Sequence, residues 1–239
     1  SAQPMLFDCL ASRRVEADFS GGHLSSDGGV LLLRQVDRTL GASRALARCF
    51  HDHRNQVFVE HALEELVSQR VQAIALGYED LNDHDSLRLD PLWQAAADHP
   101  EADGSAELAS SPTLCRLENR IDRPTLFRLA SVLVEQFIAS FDAAPGELTL
   151  DFDATDDPIH GQQEGRFFHG YYGNYCYLPL YIFSGEHLLC ARLRRSNIDG
   201  AAGSVEELTR IVGQIRESWP EVSIIVRGDS GFCRDDLLT

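Results

Sequence analysis

The sequence predicts an α+β protein with a helical N-terminal domain, residues 1–145, followed by a mixed sheet, residues 146–239. Two observations carry this prediction. Apolar residues in segment 56–76 recur at the three- and four-residue spacing of an amphipathic helix. After the break DAAPG at 142–146, the pattern changes to short apolar runs bounded by turn residues. A run of helices followed by a run of strands is typical of the α+β class.

The N-terminal domain is predicted to consist of helices joined by polar connections. Gly77 ends one apolar stripe, and Pro124 lies in the first turn of the last helix, where proline is favoured. The predicted helices are 28–40, 43–50, 56–76, 113–121 and 124–141. Acidic, turn-rich segments over 78–90 and 98–105 are predicted to connect them.

The C-terminal part is predicted to contain four strands and one helix. The strands are 148–153, 177–183, 188–193 and 222–227. Turn residues at 184–186 join the second and third strands so closely that these two must be antiparallel. Ser204, with Glu207 three residues later, predicts the start of a helix over 204–218. The predicted order is therefore strand, long loop, hairpin, helix, strand.

Composition limits the function classes. All 21 basic residues are arginine, and with 37 acidic residues the net charge is −16, which argues against a non-specific polyanion binder. Residues 60–107 are the most acidic stretch. No window approaches the roughly 18 consecutive apolar residues of a membrane span, and the N-terminus lacks a secretion signal. We therefore expect an intracellular protein that does not contact a membrane. Six scattered cysteines without a C-x-x-C pair favour reduced thiols.

Two predicted strands end in carboxylates. The first leads into Asp151 and Asp153, which share one face by the two-residue period of a strand, and the last ends at Asp229 between two glycines. A charged strand end entering a loop is the plainer interpretation of each. Convergent carboxylates are, however, the ligands that Mg²⁺ prefers, and a pair of such ions can clamp both oxygens of a phosphoryl displacement.

One enzyme class that fits is a haloacid-dehalogenase-type phosphatase. Residues 151–155, DFDAT, resemble the D-x-D-x-T motif of that superfamily, in which Asp151 would be the nucleophile and Asp153 the acid/base. Three features count against it. The chain has no lysine for the position between the motifs, an antiparallel hairpin follows the first strand, and the interval is too short for a series of βα units.

The second class is a polynucleotidyl transferase with a ribonuclease-H-like core, a fold whose strand order matches the predicted one. Here the resemblance becomes specific. The stretches LDFDATDDPIHGQQEG, GYYGNYCYLPLY, LLCARLRRSNIDG and IIVRGDSGF resemble the catalytic core of bacterial insertion-sequence DDE transposases, in the group numbered thirteen-eighty. SPTLCRLENR in the N-terminal part also resembles a segment of that group.

The resemblance implies both a site and partners. Asp153 and Asp229 would be the first two acids of the DDE triad, with Asp151 as the alternative acid. They would bind two Mg²⁺ (or Mn²⁺) ions that activate water to nick the transposon end and then the freed 3′-hydroxyl for strand transfer. The partners would be double-stranded DNA, namely the terminal inverted repeats and the target, and a second copy in a homodimer. The protein would be cytoplasmic and associated with the bacterial nucleoid when bound to DNA.

The third acid of the triad, a glutamate on a later helix, has no counterpart after Asp229, because residues 230–239 contain no glutamate. We therefore expect a truncated transposase that is inactive by itself. A third hypothesis, not an enzyme, is a transposase derivative that only binds DNA or protein.

Several polar residues are candidates for DNA contact. Arg116, Asn119 and Arg120 cluster at the turn between two predicted helices, which is typical of a helix-turn-helix reader but also of a solvated helical hairpin. Arg166, Arg194 and Arg227 lie near the acidic strand ends in sequence, and can bind phosphates or pair with the carboxylates. The tyrosines at 171, 172, 175 and 177 can stack on unpaired bases or pack over the sheet.

Overall fold

The structure, a computed structural model, describes residues 5–10, 13–17, 25, 27–97 and 107–238. By their internal contacts the residues form two compact units, Ser1–Ile121 and Asp122–Thr239. The sequence pattern places the border after residue 145, whereas the contacts group the helix Arg123–Ala139 with the residues that follow it. Helices, a mixed sheet and antiparallel pairs of strands are present, as the α+β prediction requires.

The first unit is largely helical. Its helices are Gly29–Leu40 (α1), Ala42–Arg48 (α2), Leu63–Ala75 (α3), His84–Leu87 (α4), Pro91–Ala96 (α5) and Ser111–Asn119 (α6). Helices α1, α2 and α6 start within two residues of the predicted positions. The prediction that α3 starts at residue 56 was wrong. Asn55 caps a separate 3₁₀ turn, Gln56–Phe58, by accepting a hydrogen bond from the Val57 N–H at 3.2 Å.

Two strands in the first unit were not predicted. Met5–Leu10 (β1) and Arg13–Ala17 (β2) pair antiparallel, with a register shift between Phe7 and Leu10. The shift interrupts the two-residue period on which recognition of a strand from sequence depends. Of the predicted connections, 78–90 contains the short helix α4, and 98–105 lies outside the described residues.

A buried polar network lies in the core of the first unit. The Gln69 amide donates to the Ala109 carbonyl at 3.0 Å and accepts from the Ala109 N–H at 3.1 Å. Its Nε2 also lies 3.1 Å from Nδ1 of His84, which has no exposed surface. Burial lowers the pKa of His84 to about 4, so the imidazole is neutral near pH 7.

The second unit contains two sheets and three helices. Its strands are Glu147–Ala154 (β3), Asp157–Pro158 (β4), Phe167–His169 (β5), Asn174–Tyr177 (β6), Leu180–Ser184 (β7), His187–Arg192 (β8) and Ser223–Gly228 (β9). Its helices are Arg123–Ala139 (α7), Ser204–Ser218 (α8) and Asp235–Leu238 (α9). Helix α8 has the predicted bounds, but Gly203 with φ 81° is the N-cap and Ser204 is already helical, so the predicted capping box was wrong.

The larger sheet has the strand order β8-β7-β3-β9. Strands β3, β7 and β8 are antiparallel neighbours, and β9 runs parallel to β3. The prediction of an antiparallel hairpin followed by a helix and a further strand is confirmed, and that further strand pairs with the first. The smaller sheet, in the order β4-β6-β5, occupies the predicted long loop.

Helices α7 and α8 pack together, and their apolar residues join one face of the larger sheet in a single core. The core residues include Val134, Phe137, Leu150, Ile182, Ile211 and Ile215. Because side chains alternate along a strand, Asp151 and Asp153 of β3 lie on the opposite face. Strand β9 lies at the sheet edge, with Ile225 and Val226 exposed over 45% and 40% of their surfaces. In the part of the chain that the structure describes, the helices are too short or too polar to cross a bilayer.

Candidate active site

The ends of β3 and β9 bring the two predicted acids to the same end of the sheet. In the parallel register, Asp151 lies opposite Arg227 and Phe152 lies opposite Gly228. Asp153 and Asp229 each follow the last of these pairs directly, and both side chains are exposed. Two carboxylates therefore emerge side by side where neighbouring strands finish.

Local packing fixes the position of Asp229. Its carboxylate Oδ1 accepts a hydrogen bond from the Gly231 N–H at 2.7 Å and so caps the 3₁₀ turn Ser230–Phe232. A Cβ on Gly231 would lie 2.8 Å from this oxygen, and a Cβ on Gly228 would lie 3.1 Å from the Phe232 side chain. Alanine at either position would therefore require a neighbour to move, the Asp229 carboxylate for Gly231 and the Phe232 ring for Gly228.

Phe232 explains why the chain turns so sharply after Asp229. The Phe232 ring is buried and packs edge-on against Phe152, with the ring centroids 5.8 Å apart. Phe152 immediately precedes Asp153 on β3. One aromatic pair in the core thus anchors the residue before Asp153 and the end of the turn that Asp229 caps.

Asp151 forms an ion pair with Arg227. Nη2 of Arg227 donates to Oδ2 of Asp151 at 2.7 Å, and Nε of Arg227 donates to Oδ1. The hydrogen bond from Arg227 lowers the pKa of the Asp151 carboxyl below its usual value. Of the two acids on this face of β3, Asp153 therefore stays exposed, and Asp151 is neutralised by the neighbouring strand.

Tyr172, one of the four tyrosines predicted to stack on unpaired bases or pack over the sheet, lies close to the acids. The Tyr172 hydroxyl donates to the Ala154 carbonyl at 3.3 Å. Burial raises the pKa of the Tyr172 phenol, and the charges of Asp156, Asp153 and Asp229 raise it further. Tyr172 thus lies within electrostatic reach of three carboxylates. Its aromatic-rich surroundings, GYYGNY, were the only sequence signal.

Arg166 and Arg194 have different environments. Arg166 donates from Nη2 to the Gln162 side chain at 2.7 Å, and its guanidinium lies 4.7 Å from the centre of the Tyr175 ring. Arg194 is 8% exposed and donates to the carbonyls of Leu178, Gly200 and Ala202 at 2.8, 3.0 and 2.6 Å. A guanidinium enclosed in this way holds a loop and does not face solvent.

The predicted helix-turn-helix residues lie on α6 and just after it. Arg116 is exposed, Asn119 donates to the Cys115 carbonyl at 2.9 Å, and Arg120 lies 3.7 Å from Asp52. They belong to the first unit, whereas α7, the second predicted helix of the motif, belongs to the second unit.

The acids suit a hard divalent cation. Among the residues whose placement is described, no three His, Cys, Asp or Glu side chains converge on a common point. Asp153 and Asp229 offer two exposed carboxylates, and Mg²⁺ commonly takes one or two carboxylates and completes its coordination with water and phosphate oxygens. The donor set therefore fits a cation shared with a phosphate-bearing substrate.

Antiparallel pairing disfavours the phosphatase hypothesis. Strand β7 runs antiparallel to β3, whereas that superfamily places its first acidic motif in a parallel sheet. Asp151, its required nucleophile, is held by Arg227.

Comparison with known proteins identifies a family for the chain. The model of a family described as transposase DDE domain, group 1, matches residues 7–239. No curated protein matches the chain. No solved structure matches it either. Transposases act on DNA, and those of the DDE type generally use divalent metal ions. Because the match spans nearly all 239 residues, the chain belongs to the DDE-domain family of transposases.

Proposed function

We propose that the chain contributes to metal-dependent DNA strand cleavage and strand transfer at transposon ends, with Asp153 and Asp229 as metal-binding acids. The observation that carries this proposal is the parallel register of β3 and β9, which ends both strands in exposed carboxylates side by side. We further propose a ribonuclease-H-like catalytic core and membership of the insertion-sequence group numbered thirteen-eighty.

The reaction consists of two displacements at phosphorus. In the first, a water oxygen bonds to phosphorus at the transposon end, the bond to the 3′-oxygen breaks, and that oxygen leaves as a hydroxyl. In the second, the freed 3′-oxygen bonds to a phosphorus of target DNA and displaces another 3′-oxygen, while its proton passes to solvent. Two Mg²⁺ or Mn²⁺ ions at the acids would neutralise charge on the phosphate and acidify the attacking hydroxyl.

The surrounding residues support binding of a phosphate backbone. Arg227 lies beside the acids on β9, and Arg166 lies on the smaller-sheet segment. Arg166 can offer planar N–H groups to phosphate oxygens, and Arg227 can do so through Nη1, because its Nε and Nη2 donate to Asp151. Arg194 is excluded from this set, because its buried guanidinium is already bound to three carbonyls.

The first unit is proposed to contact DNA ends or a partner subunit through the surface around Arg116, Asn119 and Arg120. The strongly acidic stretch 60–107 lies in this unit, so the contact must be local. The proposed partners are the terminal inverted repeats, target DNA and a second copy of the chain.

Metal binding is the most direct test. Titration of residues 1–239 with Mn²⁺, followed by the loss of the free-ion electron paramagnetic resonance signal, should show binding that Asp153→Asn and Asp229→Asn each weaken at least tenfold. Asp142→Asn, in the exposed loop before β3, is the matched control and should bind as the parent does. Equal binding by all the variants would overturn the assignment.

Cleavage is the second test. A protein that has all three acids of the triad should nick a duplex carrying the terminal inverted repeat and join the cut end to target DNA in Mg²⁺ or Mn²⁺. Asp153→Asn and Asp229→Asn should each abolish both steps. Residues 1–239 alone are expected to cleave weakly, because only two acids of the triad are assigned. DNA binding without cleavage by a protein that has all three acids would favour a binding module instead.

A further inference from the structure

We infer that the cleft beside Asp229 binds one unstacked nucleobase of a frayed or single-stranded DNA end. This inference rests on the proposed function, because it places the base next to the acids that would act on its phosphate. The cleft has a volume of about 160 Å³, which suits one heterocycle and is too small for a base pair. Its lining includes Ala154, His169, Tyr171, Tyr172 and Asp229.

Aromatic rings dominate the lining and are arranged in series. The Tyr171 and Tyr172 rings meet edge to face with centroids 5.0 Å apart, and the Tyr172 ring lies 4.9 Å from the His169 ring. Tyr171 is 87% exposed, so its ring is available to a ligand at the mouth of the cleft. Base–aromatic stacking tolerates any base, because every base has a π-face.

Polar groups at the cleft suit the edge of a base. His169 lines the cleft, and its Nδ1 is buried without a hydrogen-bond partner among the residues that the structure describes. A buried polar atom of this kind is costly unless something pairs with it. Rotation of the imidazole would bring this nitrogen into the cleft, where a ring nitrogen, carbonyl or amino group of a heterocyclic base can pair with it, which an aliphatic ligand cannot.

The position of the cleft connects it to the proposed chemistry. Asp229 belongs to the cleft and to the pair of acids, and Ala154 follows Asp153 directly. The Tyr172 hydroxyl bonds the Ala154 carbonyl, which ties the aromatic wall to the end of β3. A base seated here has its own phosphate only one sugar away, at the carboxylates.

The test uses residues 1–239 and an eight-nucleotide single strand that carries one 5-iodouracil, at low ionic strength with EDTA so that no metal contributes. Irradiation should crosslink the oligonucleotide to the peptide containing Tyr171 and Tyr172, as identified by mass spectrometry. Tyr171→Ala should weaken binding about tenfold by fluorescence anisotropy. Phe168→Ala, which removes an exposed ring of the smaller sheet outside the cleft, should bind as the parent does.

Tyr172→Phe keeps the ring and provides a second variant. It should fold, retain the crosslink and bind within twofold of the parent, since the ring and not the hydroxyl contacts the base. Crosslinks only outside residues 169–178, or unchanged affinity in Tyr171→Ala, would overturn the base site. Equal losses in Tyr171→Ala and Phe168→Ala would also overturn it.

The two proposals fail in different ways. A crosslink at Tyr171 together with Mn²⁺ binding that is insensitive to Asp153 and Asp229 would retain the base site and remove the proposed metal site. Normal metal binding by these acids, with no effect of Tyr171→Ala on oligonucleotide affinity, would retain the proposed function and remove the base site.

Discussion

Arg227 on β9 holds Asp151 on β3 through two parallel hydrogen bonds. Arg227 lies two residues before Asp229, which follows β9, and Asp151 lies two residues before Asp153 on β3. The pair bridges the two strands on the face that carries the acids. It also neutralises one carboxylate of a crowded group whose other members include Asp153, Asp156 and Asp229. A planar guanidinium that meets a carboxylate with two N–H groups is directional as well as charged.

Removing the guanidinium should change the titration of Asp151. In Arg227→Ala we expect the pKa of Asp151 to rise toward its ordinary value, because the hydrogen bond from Arg227 is the main cause of its depression. A carbon-13 NMR titration of the aspartate carboxyl groups measures this shift. The pair's contribution to stability is present above the unfolded-state pKa and is lost as the pH falls through the lower folded value.

Arg234→Ala is the matched control for that titration. Arg234 pairs with Asp199 at 2.8 Å, so its removal should raise the pKa of Asp199 and leave that of Asp151 unchanged. If Asp151 titrates identically in the parent and in Arg227→Ala, the ion pair does not form in solution.

Gly231→Ala should damage the metal site without unfolding the protein. The added Cβ would lie 2.8 Å from Oδ1 of Asp229 and must displace the carboxylate that caps the turn. We expect Mn²⁺ affinity to fall at least fivefold, a loss of about 1 kcal/mol of binding free energy. Circular dichroism should remain that of the parent.

Gly213→Ala provides the control for that substitution. Gly213 lies within α8, and a Cβ there meets nothing within 4 Å. Alanine should stabilise the helix by up to about 1 kcal/mol and leave Mn²⁺ binding unchanged. Weaker metal binding in both variants would mean that the effect of Gly231→Ala is not local to Asp229.

The first unit should lose stability in mild acid through His84. Its folded pKa of about 4 lies below the unfolded value, so the unfolded chain binds more protons between these two values. Stability is therefore complete above about pH 6.5 and falls as the pH decreases, by on the order of 3 kcal/mol at pH 4. The charges that act on His84 are those of Arg70, Asp83, Glu118 and Asp85.

Urea denaturation from pH 7 to pH 4 measures this dependence. His84→Gln should be less stable at pH 7 but lose less stability on acidification, because the group that titrates is gone. His160→Gln, an exposed histidine of the second unit, should retain the parent slope. If the free energy of unfolding of His84→Gln falls with pH as steeply as that of the parent, other residues cause the acid sensitivity.

Arg194 should control the stability of the second unit, and Arg166 should control the salt dependence of DNA binding. Arg194→Met leaves three backbone carbonyls without their donor and should destabilise the second unit by about 3 kcal/mol. Arg166→Met should change stability by less than about 0.5 kcal/mol but reduce the salt dependence of DNA binding by about one unit of slope. Denaturation and binding at several salt concentrations separate the two. The assignment of roles is wrong if Arg194→Met is as stable as the parent.

The elements that were predicted correctly have strong local patterns. Helix α8 carries apolar residues at helical spacing, and strands β3 and β9 carry apolar runs, so their order along the chain was predicted correctly. The smaller sheet was missed because its strands have two to four residues, too few to show a two-residue period. The start of α3 was misplaced because a side-chain cap, which periodicity does not register, closes a separate turn before it.

The sequence indicated part of the candidate site. Strand ends indicated Asp153 and Asp229, since parallel neighbours must finish at the same side of a sheet. Sequence could not distinguish Asp151 from Asp153, because the difference lies in a partner 76 residues away. The Tyr172 cleft depends on how a loop with its own small sheet folds back over β3, which no local pattern encodes.

The outer position of β9 has a practical consequence for handling the protein. In the part of the chain that the structure describes, β9 has only β3 as a neighbour, so its other edge presents backbone N–H and C=O groups. Such an edge is a template for another strand, and Ile225 and Val226 make it apolar. Concentrated samples should therefore be prone to edge-to-edge aggregation, and a charged residue in place of Ile225 should improve their solubility.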